Sequence, residues 1–140
     1  MTIAMSLICL SAGILLVLGL LHLLYTFHGP QLTPRDPALL TLMKQGHPVL
    51  TRGTTMWRAW LGFNGSHSLG AIFFGVQYGF LAWAHPQWLM QSPALQAIGL
   101  LVLGGYLLLG QAYWFSVPNM GIRLSSLAFA AGVSLLWLVP

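Results

Sequence analysis

The chain has 140 residues, 57% hydrophobic and 4% charged, with five basic side chains against one acidic. A soluble globular domain carries about 25% charged residues to hydrate its surface, so this composition excludes an ordinary water-soluble fold and makes lipid the solvent for most of the exterior. One domain is expected over 1–140; the single cysteine, Cys9, excludes an internal disulfide, and five scattered basic residues form no phosphate-tracking stripe, so nucleic acid is not an expected partner.

A helix needs about 20 apolar residues to cross the hydrocarbon core of a bilayer. The first such segment is Ile3–Phe27; it lacks the basic start of a cleaved signal and is read as a retained span. His28-Gly29-Pro30 ends it. In the loop that follows, 29–55, Asp36 is suited to cap a helix, Pro37 fits its first turn, and Gln45-Gly46 closes it. Leu39, Leu40, Leu42 and Met43 supply an apolar side. This short helix is expected to lie at the membrane interface or, on an alternative reading, to cap the helix ends.

The second span is expected over Trp57–Trp83, the third over Ala94–Phe115 after Ser92-Pro93, and the fourth over Ile122–Val139 after a turn at Val117-Pro118-Asn119. The predicted fold is all-α, an integral-membrane four-helix antiparallel bundle. Tyr25, Trp57, Trp60, Tyr113 and Trp114 mark one interface and Trp83, Trp88 and Trp137 the other. Arg35, Lys44, Arg52, Arg58 and Arg123 all fall on the first-loop side. Basic loops stay cytoplasmic, which places the chain in a bacterial inner membrane with both termini periplasmic.

Polar side chains inside a bilayer are costly and need a partner or a purpose. Helical phase sets Trp60, Asn64, His67, Ser68, Ala71, Gly75, Tyr78 and Ala82 on one stripe of the second span. It sets Ala4, Ser11, Leu15, Leu18, His22 and Tyr25 on one stripe of the first, and Arg123, Ser126, Leu127, Ala130, Ser134 and Trp137 on one of the fourth. The candidate ligand site is therefore His22, Tyr25, Asn64, His67, Ser68, Gln111 and Arg123, in the cytoplasmic half. The outer half reads as almost wholly apolar, with Gln77 the main exception. Against that site stands plain packing: Gly62-x3-Ser66-x3-Gly70 and Ser126-x3-Ala130-x3-Ser134 are small-residue patterns that let helices approach with no ligand.

With Asp36 the one acidic residue, carboxylate-bridged metal centres and paired-carboxylate hydrolysis are excluded, and no nucleophile, zinc-protease or phosphate-loop motif is present. Haem between His22 and His67 is the sharpest cofactor idea, but position along the spans sets them about one helical turn out of level. No cofactor or metal is expected, and no catalytic residue is assigned.

The run Met56–Gly70, with Trp60-x-Gly62-Phe63-x2-Ser66-x3-Gly70 and, in the first span, Gly19-x2-His22, resembles a family of small, uncharacterised four-span bacterial integral membrane proteins. The resemblance covers the first two spans and implies the architecture, with no activity attached. Two functions stand in expectation: a non-catalytic scaffold, assembly factor or accessory subunit whose partners are lipids, another membrane protein or a second copy; or a binding site or enzyme for a membrane-dissolved lipid, quinone or isoprenoid.

Overall fold

The computed structural model describes residues 2–138. Its described residues form six helices and no strand: α1 (Ile3–Phe27), α2 (Pro37–Gln45), α3 (Met56–Ala84), α4 (Pro86–Gln91), α5 (Pro93–Tyr113) and α6 (Ser116–Leu138). Three of them, α1, α5 and α6, are long and apolar enough to cross a membrane. The chain falls into two compact units, one of Met1–Leu18 with Ala71–Pro140 and one of Gly19–Gly70, so α1 and α3 each contribute to both.

The helix starts follow from local chemistry. Ser92 accepts the Leu95 N–H at 3.3 Å and Pro93 takes the first helical position, where its missing N–H is no loss. Asp36 accepts the Ala38 N–H at 2.8 Å and caps α2 in the same way. Gly46 closes α2 through its own N–H on the Leu42 carbonyl, at φ −76°, so this glycine does not serve a left-handed turn. Gly29 does: its φ of +93° turns the chain sharply out of α1, a conformation an L side chain resists.

Two expectations are corrected, and a third is met only in part. The helix at the fourth span starts at Ser116, not Ile122, and takes in the supposed Val117-Pro118-Asn119 turn. Pro118 lies in the first helical turn, where a proline breaks no hydrogen bond, and only Trp114-Phe115 connects α5 to α6. The expected end of that span at Val139 lies outside the described residues. Pro86 opens an additional short helix, α4. And α3, though the longest helix at 29 residues, is not among those apolar enough to qualify as spans, because Arg58, Asn64, His67, Gln77 and its glycines dilute its hydrophobicity.

In the first unit α1, α5 and α6 pack together, with the α3 segment from Ala71 onward against them. Phe74, Tyr78 and Phe129 form an aromatic nucleus; the Tyr78 and Phe129 rings meet edge to face with centroids 5.0 Å apart. Small residues set how closely the backbones approach. A Cβ on Gly75 would stand 2.7 Å from the Ala12 carbonyl oxygen, and one on Gly132 would stand 2.9 Å from the Ala4 carbonyl oxygen.

The stripes read from helical phase meet a mixed result. In α3, Asn64, Ser68, Ala71, Gly75, Tyr78 and Ala82 are all buried, whereas His67 is half-buried and Trp60, at the start of the stripe, is exposed. In α6 the buried face is Ile122, Ser125, Ser126, Phe129, Gly132 and Val133, whereas Arg123, Leu127 and Ser134 are exposed. That face is rotated by about one residue, because packing around Phe129 sets the helix rather than the row of small residues. Likewise Gly62, Ser66 and Gly70 face outward.

The first unit also holds buried polar links. The Ser11 and Ser125 hydroxyls lie 2.8 Å apart, and Ser125 donates to the Ser11 carbonyl oxygen at 3.1 Å. A hydroxyl carries one proton, so Ser11 is the donor between the two oxygens. Tyr78 donates its hydroxyl to the Leu95 carbonyl at 2.6 Å. Gln96, 3% exposed, donates to the Leu89 carbonyl at 2.9 Å and accepts the Trp137 indole N–H at 2.8 Å. This one amide thereby joins α4, α5 and α6.

These contacts predict that Gly75→Ala destabilises the protein by about 1–3 kcal/mol through overpacking, whereas Gly13→Ala, with open space at its Cβ, is neutral or slightly stabilising. Denaturant titration in detergent, followed by tryptophan fluorescence, measures the difference. By the same assay, Gln96→Leu is expected to cost about 1–3 kcal/mol, since it strands the Trp137 N–H and the Leu89 carbonyl.

Candidate functional site

The second unit, Gly19–Gly70, brings together four of the seven candidate residues. His22 lies near the C-terminal end of α1, and Asn64, His67 and Ser68 occupy successive turns of α3. Asn64 is 7% exposed, which leaves no water to satisfy its amide. Its side-chain NH2 donates to the Trp60 carbonyl at 2.8 Å, so its Oδ1 is the atom that faces His22 Nε2 at 3.0 Å. Since Oδ1 can only accept, His22 donates through Nε2 and carries its proton there.

His67 meets His22 ring to ring, centroids 5.3 Å apart and planes at 75°, an edge-to-face contact. Ser68, fully buried, donates to the Asn64 carbonyl at 2.8 Å, and Thr26 donates to the His22 carbonyl at 2.7 Å. Each hydroxyl thus bonds a carbonyl four residues back in its own helix, which satisfies it without a partner from outside. A Cβ on Gly65 would stand 3.3 Å from the Phe27 ring, so a glycine there lets α3 pass close to the end of α1.

The loop of this unit is tied down by hydrogen bonds. Trp60 donates its indole N–H to the Leu32 carbonyl at 3.1 Å, His47 donates through Nδ1 to the Thr54 carbonyl at 2.7 Å, and Met56 N–H reaches the Gly46 carbonyl at 2.9 Å. No residue of α2 is buried.

Of the other three candidates, one is exposed in the same unit and two belong to the first. Tyr25 is exposed, because the helical phase that turns Thr26 inward turns Tyr25 out. Gln111 and Arg123 belong to the first unit, where they line one groove between α5 and α6 with Ser126. Thr26 is the residue that sequence reading missed; its place four residues after His22 was the available signal.

Haem ligation by this histidine pair does not fit. An iron between two axial imidazoles needs a macrocycle's thickness separating the rings, and here they touch, with His22 Nε2 already engaged by Asn64. Position along the spans puts the two histidines about a turn out of level; in the fold they are neighbours, and their closeness is what argues against haem. Among the described residues, no three His, Cys, Asp or Glu side chains gather as a metal site. No protein-family model, curated protein or solved structure matches this chain.

Chemically the cluster links two helices through the His22–Asn64 hydrogen bond and the His22–His67 ring contact. Replacing Asn64 by Leu removes the acceptor of His22 and is expected to destabilise the protein by about 1–3 kcal/mol. A double-mutant cycle of His22→Ala with Asn64→Ala should return a coupling of about 0.6 kcal/mol, the usual size for such links in membrane proteins.

Proposed function

We propose that this chain is a multi-pass membrane protein that acts without chemistry of its own, as a scaffold, assembly factor or accessory subunit that presents a helix face to a partner. In this reading α1, α3, α5 and α6 all cross, with the loop between α1 and α3 on the cytoplasmic side of a bacterial inner membrane and both ends opposite. At about 1.5 Å per residue, the 29 residues of α3 are long enough to cross, and the helix carries a single charge, Arg58, in its first turn. The five basic residues lie toward the loop side, as cytoplasmic retention of positive charge requires. In α2, Leu39 and Leu42 are exposed beside Lys44, which suits a helix lying on an anionic leaflet better than a cap over helix ends.

The observation that carries the proposal is the outward stripe of Gly62, Ser66 and Gly70 on α3, all three exposed. Small residues four apart are what another helix approaches in lipid, where backbone proximity and van der Waals contact drive association. Ser66 bonds the Phe63 carbonyl at 2.9 Å, so the stripe has no unsatisfied hydroxyl, and Phe63 and Phe73 stand exposed nearby. The rival reading, a small-molecule pocket around His22, Asn64 and His67, is weakened because the Asn64 amide is committed to His22 and Trp60 and the His22 and His67 rings pack against each other.

A Cβ on Gly62 meets nothing within 4 Å, so Gly62→Leu should leave the fold intact while blocking a close helix. Purification in mild detergent is expected to yield a complex of defined stoichiometry, with itself or with another membrane protein, that Gly62→Leu dissolves and His67→Ala leaves intact. A strictly monomeric chain, or a complex indifferent to Gly62→Leu, would sink the proposal. Reporter fusions within 29–55 should read as cytoplasmic.

A further inference from the structure

The first unit carries a groove between α5 and α6 of about 410 Å³. Its polar residues gather toward the Trp114-Phe115 connection: Gln111 near the end of α5, then Arg123 and Ser126 on α6. The remainder, including Leu100, Leu107 and Leu127, is apolar. From Leu100 to Gln111 the helix rises about 16 Å, close to half of the ~30 Å hydrocarbon core. The groove therefore has the length of one leaflet and the polarity gradient of one lipid.

Its charge is uncompensated. Arg123 makes no ion pair or hydrogen bond with the described residues. The one acidic side chain of the sequence, Asp36, already caps α2 in the other unit. The Ser126 hydroxyl, on a residue 9% exposed in the groove wall, is buried with no hydrogen-bond partner among the described residues. A guanidinium on α6 and a primary amide on α5, lining the same groove, are donors that suit a phosphate, and guanidinium pairs with phosphate in bidentate fashion.

We propose that the α5/α6 groove is a binding site for one anionic phospholipid, with an acyl chain along Leu100–Leu107 and the headgroup phosphate held by Arg123 and Gln111. The proposal shares with the functional reading the premise that these helices stand in lipid. It differs from simple anchoring of Arg123 at the membrane surface in requiring the groove itself to be filled.

Gly104 lines the groove and Gly105 does not, and a Cβ on either meets nothing within 4 Å, so leucine at the two positions forms a matched pair. The full chain in neutral detergent, titrated with phosphatidylglycerol and with phosphatidylcholine of equal chain length, would be read by native mass spectrometry. The parent and Gly105→Leu are expected to retain one phosphatidylglycerol in preference to phosphatidylcholine. Arg123→Gln and Gly104→Leu should each weaken that retention about tenfold or more, with helicity by circular dichroism unchanged. Equal retention of the two lipids, or phosphatidylglycerol held as well by Arg123→Gln or by Gly104→Leu, overturns the proposal. Displacement of the lipid by millimolar inorganic phosphate would also overturn it, assigning the donors to a free anion. A chain monodisperse without any amphiphile would defeat the membrane reading itself, whereas a micelle-bound chain that ignores phosphatidylglycerol defeats only this site.

Discussion

In lipid no water is available to satisfy a polar group that turns inward, so every such group must bond within the protein or face a considerable penalty. The rest of the structure is arranged around that constraint. Helices satisfy their own backbones, and the buried side chains that could have been left unpaired are nearly all placed against a carbonyl or against each other. Asn64 holds Trp60 with one end of its amide and His22 with the other. Gln96 does the same between Leu89 and Trp137. Two amides, one in each unit, perform the same office in unrelated sequence contexts.

Polar links of this kind do more for specificity than for strength. Interhelical hydrogen bonds in membranes contribute well under 2 kcal/mol each, because a loosened chain finds other partners. What they fix is register: slide α6 past α1 by one residue and Ser125 no longer meets Ser11, at a site where both residues are fully buried. Close approach supplies the attraction, and Gly75 and Gly132 permit it where a neighbouring carbonyl leaves no room for a methyl group.

Two places where polar or small residues are not consumed by this internal accounting suggest function. One is the outward face of Gly62, Ser66 and Gly70, which the chain's own helices leave uncovered. The other is the α5/α6 groove, where Arg123 and Ser126 have no protein partner among the described residues. The first suits a helix from another polypeptide and the second suits a lipid phosphate. In the histidine cluster, which looks most like chemistry when read along the chain, the Asn64 amide and the Ser68 and Thr26 hydroxyls are all hydrogen-bonded within the protein.

Composition and apolar run length were sufficient to determine the all-α class, the bounds of α1, the Ser92 and Asp36 caps and the inward stripe of α3, because those depend on local propensity, capping and a 3.6-residue period. The pairing of His22 with Asn64 was legible as a convergence of stripes. Tertiary packing alone decided the rest. It turned Tyr25 out and Thr26 in, and set the phase of α6 by the Phe129 ring rather than by its row of small residues. It assigned Gln111 and Arg123 to a groove of their own and recruited Gln96, which no periodicity marks, as a junction of three helices. These outcomes depend on which surfaces meet. A helix rotated by one residue presents a different face at almost no local cost, so only the neighbours it packs against can choose between them.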